Sequence, residues 1–357
     1  MACNLFLVSL FVSISIFIYN VAAFDDSKIE NEIKYINSVQ SSWKADYSPT
    51  MTAFHLKEWK NKLGIKLVSK KLHKLKKSFV SGFSSMFKSS QSRQSRIPLN
   101  YDMRRGRPAC RRLISLIRDQ AGCGSCWAVS SASVLSDRFC IASRGKYKQP
   151  LSAEDMMRCC SDCKSKNGNG CEGGDVVEAM FFLKDEGIVT GGEYGSKEGC
   201  MPYSFAPCSS SNGTDGQAKC SYSTKDAKTQ KCRNQCSNSK YRSAYKYDKY
   251  FIDDAYLMPD KESVVKTELM KNGSCIATMK VYEDFIHYKS GIYQHVTGEF
   301  LGDHGVRLIG WGTQNGTDFW LVANSWGTSW GEKGTFRIHR TKSKCEFGKY
   351  IICPVPY

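Results

Sequence analysis

Beyond its first 23 residues the 357-residue chain has no apolar run long enough to cross a bilayer, and it has no internal repeat. The first absence excludes a membrane-spanning helix there; the second excludes a solenoid or propeller. Cysteine is missing from residues 24–96, although the chain holds 17, so contacts other than disulfides must hold that stretch. Histidine is scarce, six in all, with none between His73 and His287. Imidazole chemistry after residue 97 is therefore confined to His287, His295, His304 and His339. A hydrophobic content of 41% and an aromatic content of 12% rule out a disordered or collagen-like chain.

The chain begins with a fifteen-residue, mostly apolar run, LFLVSLFVSISIFIY, followed by Asn20 and the small residues up to Ala23. It is short for a membrane span and ends at a cleavage-compatible site, so residues 1–23 read as a signal peptide without the usual basic start. Sixteen cysteines follow it, far above cytosolic habit. Sequons at Asn212, Asn272 and Asn315 suit the same secretory route. The net charge is +17, divided as 15 Lys+Arg against 6 Asp+Glu over 24–96 and 36 against 28 over 97–357. The lysines of the first part cluster between positions 57 and 77 as a solvated helical face, which argues against nucleic acid as the partner.

Residues 24–96 predict amphipathic helix from about Ile29 to Ser42 and again from Phe54 to Phe87, ending in the polar stretch SSQSRQSR. The cysteine-bearing body starts near Ile97. A cysteine-free, Lys-rich leader joined through a polar linker to a disulfide-rich body reads as a propeptide. Within the body, residues 126–141 carry apolar residues at helical spacing. Ser152-Ala-Glu-Asp caps a second helix, and Asp175 to Asp185 forms a third. Residues 200–240, rich in Cys, Ser, Lys, Gly and Asn, read as a disulfide-stapled surface loop. From about Tyr241 the pattern turns to strands and glycine turns. The expected class is α+β, a helical half followed by a β-rich half.

The most informative stretch is DQAGCGSCWAVS. Small residues clear the space before a helix whose first turn carries Cys126, where free N–H groups and the helix dipole favour a thiolate. Such a thiolate needs an imidazole. His304, in GDHGVRLIGWG, opens an alternating strand that would hold its ring rigidly, and Gly305 leaves room for a substrate. His295 and His339 read as surface or turn residues, and His287 as packing or exposed. Asn324, in NSWG, would accept a hydrogen bond from His304, with Trp326 shielding it. The Gln120 amide and the Cys126 backbone N–H would form an oxyanion hole. Together these residues supply thiol-mediated acyl transfer.

CGSCW, DHGVRLIGWG and FWLVANSWGTSWGE resemble the papain-like cysteine proteases, and SAEDMMRCC, CEGGD, GCMPYSFAPC and YKSGIYQHVTGE resemble their cathepsin B-like branch, over essentially all of 97–357. The resemblance implies a papain-like two-domain fold: a helical left domain, a β-barrel-like right domain and an active-site cleft between them. It further implies a zymogen with residues 24–96 as inhibitory propeptide, a mature peptidase over 97–357, and an occluding-loop-like segment at about 200–240. His304 and Asn324 lie further from Cys126 than in a minimal member, by about the length of that segment.

By the same resemblance Gly173 and Gly174 bind substrate backbone, and Asp175, Thr278, Gly305 and Tyr350 line the main specificity pocket. The implied disulfides are Cys110–Cys140, Cys123–Cys171, Cys159–Cys232, Cys160–Cys163, Cys200–Cys236 and Cys208–Cys220. Cys126 stays free; Cys275, Cys345 and Cys353 are left over, with a Cys275–Cys353 bridge left open. Zinc at CCSDC or at Cys232 and Cys236 is the weaker reading in an oxidising compartment, and no metal or cofactor is expected. The partners expected are protein and peptide substrates, the chain's own leader and cystatin-type inhibitors, in a secreted or lysosomal setting. Cys123-Gly-Ser-Cys126 is formally a redox C-x-x-C, but the family pairing of Cys123 with Cys171 speaks against an oxidoreductase. A binding-only homologue is disfavoured because all four catalytic positions are intact.

Overall fold

A computed structural model describes residues 26–48, 59–60, 62–66, 72–73, 75, 97–207 and 227–357. The signal-peptide reading, Cys208–Cys220 and Asn212 lie outside the described residues. So does most of the helix expected over Phe54–Phe87.

The amino-terminal segment forms α1 (Asp26–Val39) and a short strand β1 (Trp43–Ala45). The helix stops three residues before the expected Ser42. Gln40 folds back there, its Oε1 accepting from the Trp43 N–H at 2.9 Å and its Nε2 donating to the Trp43 carbonyl at 2.7 Å. That turn ends the helix and leads directly into the edge strand. The body opens with β2 (Tyr101–Asp102) and then builds its helical half from α2 (Cys126–Ala142), α3 (Ala153–Cys159) and α4 (Val176–Asp185). Ser152 caps α3 by accepting from the Asp155 N–H, and Asp175 caps α4 by accepting from the Val177 N–H. Helix α2 is buried on nearly every face, as a central helix must be.

The second half comprises β3 (Ile252–Leu257), α5 (Glu262–Lys271), β4 (Cys275–Tyr282), β5 (Tyr288–Tyr293), β6 (Phe300–Gln314), β7 (Thr317–Ala323), β8 (Thr335–His339) and β9 (Ile351–Pro356). The strands run in the order β1-β5-β8-β7-β6-β4-β9-β3, with β2 pairing β6. Asn315 at φ +49 and Gly316 at φ +76 make the two-residue turn between β6 and β7, so this sequon stands at an exposed hairpin tip. Asn272 is half-buried and donates to Glu268 at 2.8 Å.

Two apolar cores result. One fills the sheet around Phe285, Trp330 and Phe336; the other surrounds α2 and includes Cys126, Trp127 and Leu135. Six disulfides are formed among the described residues: Cys110–Cys140, Cys123–Cys171, Cys159–Cys232, Cys160–Cys163, Cys200–Cys236 and Cys275–Cys353. The last joins neighbouring strands β4 and β9, and Cys126 and Cys345 are free and buried.

The amino-terminal segment is packed on the sheet half. Trp43 is buried, its ring 5.1 Å from Tyr293 and its Nε1 donating to the Gln294 carbonyl at 2.9 Å. Removing so large a buried ring costs about 3–5 kcal/mol. Trp43→Ala should therefore free residues 26–48 from the sheet. Limited proteolysis at neutral pH should cut that segment much sooner while thermal unfolding of the body stays unchanged; equal protection in the variant would contradict this.

Candidate active site

Three local devices place Cys126. The Cys123–Cys171 disulfide and the Gly124 N–H to Cys171 carbonyl bond at 2.8 Å anchor the loop before α2. Ala121 occupies the left-handed region at φ +55, its N–H donating to Asp119 Oδ1 at 2.8 Å. A non-glycine residue there is strained, and such strain persists only where surrounding contacts enforce it. Tyr203 closes the third side: its hydroxyl lies 2.7 Å from Ser125 Oγ and donates to the Gln120 carbonyl at 3.0 Å. Cys126 is then the first residue of the helix, where amide N–H groups have no partner within the helix.

His304 sits on β6, paired in register with Met279 of β4, while Gly305 pairs with Thr278. Its Nε2 lies 2.8 Å from Asn324 Oδ1. Since that oxygen can only accept, Nε2 carries the proton and Nδ1 is left as the free base; Nδ1 has no partner. Asn324 Oδ1 also accepts from the Ser325 N–H at 2.8 Å, and Ser325 Oγ donates to Gln120 Oε1 at 2.7 Å. One chain of bonds thus links the residue that orients His304 to the one whose amide would face an oxyanion. The Trp326 ring lies 5.1 Å from the His304 ring and is almost wholly buried.

Residues 62–66 run through the cleft. Gln120 Nε2 donates to the Lys62 carbonyl at 3.0 Å. Gly174 N–H donates to the Gly64 carbonyl at 2.7 Å, Lys66 N–H to the Gly174 carbonyl at 2.9 Å, and Ile65 N–H to the Asp303 carbonyl at 3.2 Å. The bridge between Ile65 and Gly174 is parallel. The Trp59 ring packs against Trp326 at 4.8 Å, tilted by 60°. Two glycines permit this approach: a Cβ on Gly64 would fall 2.2 Å from the Gly124 carbonyl oxygen, and one on Gly173 would fall 2.7 Å from the Gly64 carbonyl oxygen. The Ile65 side chain reaches the wall made by Gly305 and Thr278, whose N–H donates to the Tyr350 carbonyl at 3.1 Å. Asp175 stands immediately before α4, its Oδ1 accepting from the Val177 N–H at 2.7 Å.

This cover sets the electrostatics. Burial pushes the Cys126 thiol above its ordinary value, opposed by N–H groups of Gly305, Gly64, Trp127 and Cys126 itself. Burial pulls His304 down to about 4; the Asn324 bond opposes the shift and the Lys62 charge adds to it. At neutral pH the two groups are thus held as thiol and imidazole, not as an ion pair.

Residues 97–355 match the family model described as papain family cysteine protease. The chain belongs to that family. It is a cysteine peptidase similar to "Cathepsin B-like cysteine proteinase 4" of Caenorhabditis elegans, at 41% identity over 90% of this chain and 91% of the relative. "Cathepsin B-like cysteine proteinase 2" of Haemonchus contortus is 45% identical over 70% of each chain. Among solved structures, "proCathepsin B S9 from Trypanosoma congolense" superposes with a TM-score of 0.71 at 30% identity, covering 92% of this peptidase and 98% of that chain.

Sequence reasoning missed three participants. Ser325 lies inside the recognised NSWG, and Tyr203 inside GCMPYSF, yet no local pattern marks either as a support. Gly64 carries no signal at all, because its role depends on contact with Gly124, 60 positions away. His295, expected at the surface, is instead stacked on Tyr282 at 3.8 Å with Nδ1 at 3.1 Å from Asp284 Oδ1.

Gly64→Val should lift the segment off Gly174. Amide exchange at Gly174, measured on the full-length chain, should accelerate about tenfold or more, equivalent to losing about 1.4 kcal/mol of protection. Unchanged exchange would show that the close approach at Gly64 does not hold the segment.

Proposed function

We propose that this peptidase is made as a zymogen, that residues 24–96 are its inhibitory leader, and that removing them yields a cysteine endopeptidase spanning 97–357, secreted or lysosomal. The observation that carries the reading is the cleft itself: Cys126 at a helix start, the His304–Asn324 pair beside it, and the Gln120 amide already holding a carbonyl oxygen, that of Lys62. Once the cleft is open, His304 Nδ1 takes the Cys126 proton and the thiolate attacks the scissile carbonyl. Gln120 and the Cys126 N–H hold the oxyanion, and the imidazolium protonates the leaving amine. Water, deprotonated by His304, then hydrolyses the thioester. Asn324 holds the ring in the required tautomer. Proenzyme structures among the similar folds support the leader assignment.

The leader explains why it is not cut while docked. Its Gly64 N–H, not a carbonyl carbon, bears on the thiol, and its backbone runs parallel to Gly174. Ile65 packed against Gly305 supports a preference for apolar or aromatic side chains at the second residue before the cleaved bond, since Tyr350, assigned to the same pocket by the family resemblance, offers no charge. Ser209 to Ser211 occupy the positions where the cathepsin B-like branch carries a carboxylate-binding His pair. Their hydroxyls cannot neutralise a terminal carboxylate, so dipeptide release from carboxyl ends is proposed to be weak.

Cys126→Ala should abolish peptide hydrolysis, at least about a thousandfold, while the zymogen still folds with its six described disulfides; residual activity above trace would rule out Cys126 as nucleophile. A peptide with a free carboxyl end should be cleaved no faster than its amidated twin, mainly at internal bonds. Rapid release of dipeptides from the free form would overturn that part of the reading.

The pH dependence of leader release follows from His287. Its Nε2 lies 4.0 Å from Glu32 Oε2 of α1, and its carbonyl accepts from the Asp46 N–H, so the leader covers it. Burial pulls His287 down to about 4 despite the neighbouring Asp284. A released leader lets this imidazole take a proton that the docked state refuses. Docking therefore weakens as pH falls from about 6.5 towards 4. Glu32, raised by burial and by Glu283 and Asp284, works oppositely, above the ordinary carboxylate value, and so offsets part of the His287 effect. Autoprocessing should be faster at pH 5 than at pH 7, and His287→Gln should flatten the upper part of that profile; an identical profile in the variant would exclude His287.

A further inference from the structure

The charges beside the Gln120 amide do not cancel. Arg118 is buried, its Nε 3.5 Å from Glu193 Oε1 and its Nη2 donating to the Leu151 carbonyl at 2.8 Å. That pair accounts for one base and one acid, and Asp119 is the charge left over. It is half-buried, its Oδ1 accepting from the Ala121 N–H and its own N–H donating to Glu193 Oε2 at 3.3 Å. Among the described residues no cation lies at ion-pair distance from it. The Asp119 backbone bridges to Trp326, and a Cβ on Gly327 would fall 2.7 Å from Asp119 Oδ2. The free side of this carboxyl therefore stands at the Trp326 rim of the cleft.

The docked segment brings a lysine to that place. Gly64 and Lys66 pair with Gly174, on the side that takes substrate residues before the cleaved bond. Trp59 packs on Trp326 instead. The chain passes from one side to the other at Lys62, whose carbonyl accepts from Gln120 Nε2 at 3.0 Å, as a scissile carbonyl would. Leu63 turns towards β6, where a Cβ on Gly302 would fall 2.9 Å from its own Cβ. The Lys62 side chain is only 3% exposed, with Nζ 4.8 Å from the centre of the Trp59 ring. Burial raises the Asp119 carboxyl and the Lys62 charge pulls it back; the same charge also bears on His304. A buried ammonium needs compensating negative potential, and Asp119 and the Trp59 ring both contribute it.

We infer that Asp119 selects Lys or Arg as the first residue after the cleaved bond, so that the favoured substrates are peptides with a basic leaving side. The inference rests on the endopeptidase reading above. Leader removal takes the Lys62 ammonium away and leaves the Asp119 carboxylate at the rim. A substrate lysine or arginine entering there restores the lost charge. A substrate glutamate meets Asp119 and Glu193 together and is repelled. The leader thus uses for docking the same recognition that a substrate uses for cleavage.

The test uses the leader-free enzyme and four internally quenched peptides, blocked at both ends and differing only in the first residue after the cleaved bond: Lys, Arg, Gln or Glu. Mass spectrometry confirms the bond cut. In the parent, kcat/KM for Lys and Arg should exceed that for Gln about fivefold or more, with Glu below Gln. In Asp119→Asn, which keeps an acceptor for the Ala121 N–H, the Lys-to-Gln ratio should fall to within about twofold of unity. Glu193→Gln should keep the parent's ratio. Each reading is a ratio within one enzyme, so a general loss of activity in a variant cancels, and the parent's ranking decides even if a variant does not fold. Equal rates for all four peptides in the parent, an unchanged ratio in Asp119→Asn, or a ratio lost only in Glu193→Gln would each overturn the inference while leaving the endopeptidase reading intact. No cleavage of any of the four would overturn both.

Discussion

The backbone pairing of Gly64 and Lys66 with Gly174, at 2.7 and 2.9 Å, determines the state of the whole active site. It lays five residues of peptide across Cys126 and His304, removes both from water, and so holds the thiol and the imidazole neutral. The same amide and carbonyl of Gly174 would serve a substrate strand, which is why the contact can block the site without altering it. On the proposed zymogen reading nothing in the catalytic geometry has to be distorted to keep the site silent; only solvation and occupancy change.

That economy requires the cleft walls to be rigid before the leader departs. On one wall the nucleophile is fixed by the Cys123–Cys171 bond, the strained Ala121 and the Tyr203–Ser125 contact. On the other, His304 is fixed by the β4–β6 ladder and by Asn324. Ser325 ties the two together through Gln120. The leader's own anchor is elsewhere, where Trp43 adds a strand to the exposed edge of β5. The contact across the cleft and the one at the sheet edge are thus separate, and the proposed acid release through His287 acts on the second alone.

Much of this was legible in the residues. The cap at Ser152, the helix beginning at Cys126 and the one expected from Asp175 to Asp185 are local features whose chemistry is written within a few positions. The strand at Trp43 was not legible, because three residues carry too little pattern and only the partner strand, about 250 residues away, decides. The Cys275–Cys353 bridge stayed open for the same reason: spacing along the chain says nothing about which strands are neighbours. Asp175 illustrates a subtler limit. The family resemblance assigns it to the specificity pocket, while its local chemistry is that of a helix cap, Oδ1 accepting from the Val177 N–H, and the two roles cannot be told apart from the sequence around it.

The central claim, that the leader silences the enzyme by holding Cys126 and His304 neutral, is tested most directly by the pH dependence of Cys126 alkylation with iodoacetamide, before and after leader removal. The account predicts slow reaction in the full-length chain, rising only at alkaline pH. After removal it predicts fast reaction down to roughly pH 5, as a thiolate paired with imidazolium requires. The same profile before and after removal would contradict it.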